Sequence, residues 1–180
     1  NLGITRRRMT ILFSDIRGFT SMSEKMPPEE IAAFLREYLT VMTEVVFKHG
    51  GTVDKYMGDA IMALYNVPLD QPDHAQRAVR TALEFQQRLR PLASRFRAKY
   101  GSDLRCGVGI NTGEAITGLV GARDGAVNYS AIGDTVNLAS RLEGLNKEHH
   151  SHILISERTY LEVKDHFEFR PIPGEVKVKG

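Results

Sequence analysis

The chain has almost no surplus of charge: 24 basic against 22 acidic residues leave a formal +2 over 180 residues. That excludes the broad basic footprint of a nucleic-acid binder, and no nucleic-acid partner is expected. No apolar run approaches the roughly 20 residues a membrane helix needs. No signal-peptide pattern opens the chain. Cysteine occurs once, as Cys106. No internal disulfide can form, which fits a reducing compartment and a cytoplasmic location. Cys106 alternates with apolar residues in Leu104-Arg105-Cys106-Gly107-Val108-Gly109-Ile110, the pattern of a small core side chain rather than a reactive thiol. Internal repeats, linkers and low-complexity stretches are also missing. With 42% hydrophobic residues, residues 1–180 are expected to form one domain with a full core. Both ends read as cut. Asn1 runs almost directly into a strand, and Val176-Lys177-Val178-Lys179 has the pattern of a strand that should pair. A module of a longer protein is expected, with any regulatory domain or membrane anchor upstream.

The patterning alternates between strand and helix periods. Met9, Ile11, Leu12, Phe13 and Ile16 mark a buried strand. Pro27-Pro28-Glu29-Glu30 starts a helix, with prolines tolerated in the first turn and acids suited to its dipole. Ile31, Phe34, Leu35, Tyr38, Met42, Val45 and Val46 follow at helical spacing until Gly50-Gly51. Thr52–Tyr56 and Ala60–Tyr65 read as strands joined by the tight turn Met57-Gly58-Asp59. Asp73 is a candidate N-cap for a second long helix, whose core face is Ala75, Val79, Leu83, Leu89, Leu92 and Phe96. Pro91 is expected to kink or divide it. Two strands, 104–110 and 114–120, are expected around an Asn111-Thr112-Gly113 turn. A strand at 128–132, a helix from Gly133-Asp134 to Gly144 or Asn146, a short strand Ile153-Leu154-Ile155, a short helix and two final strands complete the reading. The order predicts an α/β (α+β) fold with a ferredoxin-like βαββαβ core and additional C-terminal strands and helices.

Two acidic turns carry the chemistry. Phe13-Ser14-Asp15-Ile16-Arg17-Gly18-Phe19 and Lys55-Tyr56-Met57-Gly58-Asp59-Ala60 each place one aspartate at the end of an apolar strand. Magnesium takes oxygen ligands, usually one or two carboxylates with substrate phosphates and water. Two aspartates sharing two ions would serve in-line displacement at phosphorus, and the backbone carbonyl of Ile16 could add a ligand. The bland alternative is an ordinary turn aspartate, since that side chain bonds its own backbone. Asn137 and Arg141, one helical turn apart, project from one face. Arginine matches phosphate oxygens and asparagine can fix a sugar oxygen. Their bland reading is a solvated face with Arg141 paired to Glu143 or Glu37. His149-His150-Ser151-His152 reads as a solvated loop and Arg6-Arg7-Arg8 as an exposed lead-in to the first strand.

Those two segments, extended to Thr20 and begun at Asp54, with Tyr129-Ser130-Ala131-Ile132-Gly133-Asp134-Thr135-Val136-Asn137-Leu138-Ala139-Ser140-Arg141-Leu142-Glu143, resemble the catalytic domain of class III nucleotidyl cyclases, especially the bacterial homodimeric branch. The resemblance covers essentially the whole chain. It implies a head-to-tail homodimer with two shared sites and conversion of a nucleoside triphosphate to its 3′,5′-cyclic monophosphate and pyrophosphate. It implies two magnesium or manganese ions per site, with Asp15 and Asp59 as ligands. Lys55 matches the purine-reading lysine of adenylyl cyclases. Ser130 stands where that subclass has aspartate or threonine. Asn137 and Arg141 match the ribose-orienting and transition-state residues, and Lys179 a triphosphate-binding lysine. Arg123 lies in a loop that could reach phosphate, although the loop length differs. One subunit would supply Asp15 and Asp59, the other Lys55, Ser130, Asn137, Arg141 and Lys179.

The ammonium of Lys55 is donor-only, so it suits adenine N1 and opposes the N1–H of guanine. ATP is therefore the expected substrate, with guanylate cyclase or mixed purine specificity as the alternative, because a freely rotating Ser130 hydroxyl could serve either base. The bland reading of Lys55 is a salt bridge to Asp54 or Glu44. A silent regulatory module would normally have lost one of the four central residues. A polymerase or diguanylate cyclase palm is disfavoured by the turn Met57-Gly58-Asp59-Ala60. Asp15, water or substrate phosphate all remain open as the proton acceptor.

Overall fold

The protein is described here as a computed structural model covering residues 4–121 and 127–172. Arg123 and Lys179 lie outside the described residues. The elements are β1 (Thr5–Ile16), α1 (Phe19–Ser23), α2 (Pro28–Lys48), β2 (Thr52–Met57), β3 (Ala60–Tyr65), α3 (His74–Tyr100), β4 (Cys106–Gly121), β5 (Val127–Ile132), α4 (Asp134–His149), β6 (Ile153–Ile155) and α5 (Glu157–Val163). The sheet runs β2-β3-β1-β4-β5, and β6 pairs in parallel with the start of β4. Its first four strands are antiparallel, with α2 and α3 as crossovers. This is the expected ferredoxin-like core.

Both faces of the central strands are covered, which explains their near-continuous apolar runs. Leu12, Ile61, Ala63 and Tyr65 pack with Tyr38, Met42 and Val45 of α2 and Ala78, Phe85 and Leu89 of α3. Their alternates Met9, Ile11, Met62 and Leu64 pack on the opposite face with Ala115, Ala131, Ala139 and Val136. In β4, Cys106, Val108 and Ile110 face the first core. Cys106 is fully buried, and burial pushes its thiol up to about 11, as suits a core residue.

Several expectations are corrected. Residues 106–121 form one strand rather than two. Asn-Thr-Gly has turn chemistry, but here it pairs with Met9–Ile11 of β1. Its side chains are tied into the core: Asn111 Nδ2 donates to the Thr135 carbonyl at 3.0 Å, while Asn111 Oδ1 has no partner among the described residues, and the Thr112 hydroxyl lies 2.9 Å from those of Thr10 and Thr159. Pro91 does not divide α3, which continues to Tyr100. It lies on the exposed side, where water can take the carbonyl its missing N–H leaves free. Leu83 is exposed, and Phe85 occupies the core in its place. Asp73 stands at the N-cap, but its carboxylate accepts from Arg77 Nε (2.7 Å) instead of capping. Arg6, Arg7 and Arg8 belong to β1 and pair with Glu114, Asp70 and Glu162. His149 closes the last turn of α4, which extends past Asn146. Residues 164–172 hold no strand, and the expected strand at Val176-Lys177-Val178-Lys179 lies outside the described residues. No helix among the described residues is long and apolar enough to cross a membrane.

The seat of α4 depends on one glycine. A Cβ on Gly109 would lie 2.3 Å from the Glu143 backbone nitrogen and 2.5 Å from the Ala139 carbonyl oxygen. The helix backbone therefore rests directly on β4. Gly144, on the outer side of the same helix, has nothing within 4 Å of a built Cβ. Gly109→Ala should lose about 1–3 kcal/mol through overpacking, whereas Gly144→Ala should gain about 0.4–1 kcal/mol. Urea denaturation of the two variants checks both signs.

Candidate active site

Asp15 is the penultimate residue of β1, opposite Gly107 of β4. Asp59 occupies the two-residue loop of the β2–β3 hairpin, where Gly58 takes a left-handed φ of 63°. Such a turn is natural for glycine. The Ile16 N–H donates to Asp59 Oδ2 at 2.7 Å, locking the hairpin tip to the end of β1. The structure thus brings Asp15, Ile16 and Asp59 together. Burial raises the Asp59 carboxyl above its ordinary value, and the neighbouring charge of Asp15 adds to the shift.

A third carboxyl, which sequence reasoning did not place here, joins them. Glu143 of α4 is buried, and burial pushes its carboxyl far above the ordinary range. Its hydrogen bond to Asp15 and the charge of Asp15 push the same way. The raised carboxyl favours the neutral form of Glu143 beside Asp15. The expected surface pairs of Arg141 are absent: Glu143 turns inward and Glu37 pairs with Arg95. Asp15 Oδ1 is buried with no hydrogen-bond partner among the described residues. An orphaned carboxylate oxygen, repelled by a second carboxylate, fits a hard cation. No cluster of three or more His, Cys, Asp or Glu side chains poised around one ion occurs among the described residues. A site completed by phosphate and water does not need one.

Lys55 and Ser130 meet at a residue that the sequence offered only as a salt-bridge partner. Ser130 Oγ donates to the Asp54 carboxylate, 2.9 and 3.1 Å from its two oxygens. The Ala131 N–H donates to Asp54 Oδ2 at 2.8 Å, and Lys55 Nζ stands 3.8 Å from Oδ1. The Asp54 side chain is wholly buried, whereas that of Lys55 is 45% exposed. Glu44, the other expected partner of Lys55, pairs with Arg88 at 3.2 Å.

Asn137 and Arg141 are exposed on α4 and have no side-chain partner among the described residues. Arg141 lies two residues from Glu143, about 200° round the helix axis. The helix thus turns Glu143 toward its own Asp15 and aims Arg141 elsewhere.

A ferredoxin-like sheet that joins Asp15 at the end of β1 to Asp59 in the β2–β3 turn, with an arginine on α4 unpaired among the described residues, suits a phosphoryl-transfer class of domain. Comparison supplies the family. Residues 5–180 match the adenylate and guanylate cyclase catalytic domain, and the chain belongs to that family. It is 42% identical over 175 residues to "Adenylate cyclase 1" of Rhizobium meliloti (strain 1021), covering 97% of this chain and 26% of that protein. It is also 42% identical to "Adenylate cyclase" of Anabaena cylindrica, covering 97% of this chain and 35% of that one. The chain therefore spans about a quarter to a third of these relatives. Among solved structures, the adenylyl cyclase CyaB from P. aeruginosa superposes with a TM-score of 0.90 at 38% identity, covering 99% of this chain and 91% of that one. The guanylyl cyclase Cya2 gives 0.85 at 37%, covering 97% and 89%.

Two tests address the carboxylates. Between glutamate's ordinary value of 4.5 and its raised native value, the folded protein holds a proton that the unfolded chain releases. This contribution to stability is complete below that ordinary value and is lost as pH rises through the native one. In chelator, wild type should therefore lose thermal stability from pH 6 to pH 8.5 more steeply than Glu143→Gln, which stays neutral throughout. Magnesium or manganese should raise the melting temperature of wild type, and Asp15→Asn should lose most of that rise.

Proposed function

We propose that this domain is an adenylate cyclase that converts ATP to 3′,5′-cyclic AMP and pyrophosphate at sites shared between two copies of the chain. The observation that carries the choice of base is the exposed, donor-only ammonium of Lys55 at the rim of β2, which suits adenine N1. Relatives named adenylate cyclase, at 42% identity, support the same reading. Mixed purine use is the second reading, favoured by the likeness to the guanylyl cyclase Cya2 at 37% identity.

In this reading Ser130 accepts from the adenine 6-amino group and Lys179 holds the triphosphate. Asn137 orients the ribose, so that its 3′-oxygen lies in line with the α-phosphorus. The 3′-oxygen forms a bond to that phosphorus as its proton passes to Asp15, water or substrate phosphate, and the bond from phosphorus to the bridging oxygen breaks to release pyrophosphate. Arg141 stabilises charge on the equatorial oxygens. Asp15 and Asp59, with the Ile16 carbonyl, would hold two magnesium or manganese ions. Such ions supply Lewis-acid stabilisation of oxygen charge.

The shared site is supported by α4, whose Arg141 faces away from its own aspartates. It is also supported by the exposed apolar side chains Tyr56, Met57, Leu119 and Ile132 near the base-reading strands. The larger size of the relatives supports a regulatory domain elsewhere in the full-length protein, and ATP as substrate supports a cytoplasmic setting.

Mixing Asp15→Ala with Arg141→Ala should restore about a quarter of wild-type cyclase activity, because half the dimers are mixed and each has one intact site. A mixture as inactive as its components sinks the shared site. Product analysis with ATP and GTP should show cyclic AMP in excess. Lys55→Glu should lower the ATP-to-GTP ratio of kcat/KM by about ten-fold or more, the scale of a mismatched buried hydrogen bond. An unchanged ratio overturns the base pocket.

A further inference from the structure

Resting on that base pocket, we infer that Asp54 is a specificity-determining positioning residue: it fixes the hydroxyl of Ser130 as an acceptor and so turns an ambiguous serine into a reader of the adenine amino group.

The geometry begins with a bulge. In the β2–β3 ladder Val53 pairs with Ala63 and Lys55 with Met62, which leaves Asp54 as the extra residue. A bulge re-aims a side chain that regular alternation would send elsewhere. Here it sends the carboxylate into β5, although β2 and β5 stand at opposite ends of the strand order. The carboxylate is fully buried and has three neighbours: the Ser130 hydroxyl, the Ala131 N–H and the Lys55 ammonium.

A carboxylate only accepts hydrogen bonds. Ser130 has one proton, and Asp54 takes it. The oxygen of Ser130 then keeps only lone pairs for any base beside it. Those pairs suit the 6-amino group of adenine and oppose the 6-oxo group of guanine. A serine free to rotate would read neither. The same carboxylate holds Lys55, so both base-reading groups are anchored on one buried charge.

Asp54→Asn reverses the logic with little change of shape. The Ala131 N–H, 2.8 Å from Oδ2 in the native protein, selects the amide oxygen for that position. The amide nitrogen then faces Ser130, at the site of the oxygen now 2.9 Å away. Ser130 then accepts from that nitrogen in competition with donating to the amide oxygen 3.1 Å away, so its proton is no longer held and can turn outward to a 6-oxo base.

The test compares kcat/KM for ATP, GTP and purine riboside triphosphate, which keeps N1 but lacks the 6-amino group. Wild type should prefer ATP to the purine analogue by about ten-fold, the scale of one satisfied buried hydrogen bond. Asp54→Asn should bring that preference close to unity and lower the ATP-to-GTP ratio by a similar factor. In a Ser130→Ala background, Asp54→Asn should have no further effect on the ATP-to-purine ratio. A fall in turnover with both ratios kept would mark Asp54 as merely structural and overturn the inference. An equal effect with and without the Ser130 hydroxyl would also overturn it. If Asp54→Asn does not fold, Asp54→Ala, which frees the Ser130 hydroxyl, takes its place in the same comparison: an ATP-to-purine preference that survives it overturns the inference, and its loss only where the Ser130 hydroxyl is present supports it. If Lys55→Glu shifts base preference while Asp54→Asn does not, the pocket stands and only the role of Asp54 fails.

Discussion

The twelve-residue antiparallel ladder between β1 and β4 is the constraint on which the rest of the structure depends. Its near end sets Asp15 opposite Gly107, beneath α4. Its far end extends past β1 to pair with β5, where Gly118 stands opposite Ser130. The curl of so long a strand brings β5 back over the sheet until Asp54 of β2 bonds Ser130 and Ala131. Sheets coil because strands twist in one sense. A ladder broken at Asn111 would separate the carboxylate end from the end that carries Ser130.

Electrostatics at the near end is unfavourable without a ligand. Asp15, Asp59 and Glu143 converge where burial already penalises charge. Two devices relieve it: the raised Glu143 carboxyl favours its neutral form, and the Ile16 N–H donates to Asp59. Both devices are local and reversible, and they leave Asp15 Oδ1 unsatisfied. Such an arrangement sacrifices stability for a cation-ready site, as functional sites commonly do. The far end is built the opposite way: the buried charge of Asp54 is fully partnered, which suits a group that must hold still rather than bind.

Much of this was legible in the chain. Strand-terminal aspartates before small turns, the helical spacing of Asn137 and Arg141, and the alternation around Cys106 are local signals, and the structure keeps each of them. What escaped were residues whose role is set by tertiary neighbours. Asn-Thr-Gly has strong turn chemistry, yet β1 on one side and α4 on the other use its polar groups to hold an extended strand. Glu143 reads as a surface acid until Gly109 lets α4 sink onto β4. Asp54 reads as a salt-bridge partner, and only the register shift shows that it is a bulge aimed at a distant strand. Leu83 lies off the buried stripe of α3, which steps regularly through Ala75, Ala78, Ala82, Phe85, Leu89, Leu92 and Phe96.

The arrangement of α4 also bears on why, in the proposed reading, one chain does not serve its own aspartates. Asn137 and Arg141 are separated by about 40° round the helix, whereas Arg141 and Glu143 are separated by about 200°. The Gly109 contact fixes which face of the helix meets β4, and with it the inward direction of Glu143. Once that face is fixed, the arginine cannot be rotated toward Asp15 without lifting the helix from its backbone-to-backbone seat. A second chain that approaches the exposed face can meet the arginine with no such cost. In the proposed reading, the packing that stabilises a single copy is what leaves its site unfinished, so assembly and catalysis are coupled through one glycine-sized gap.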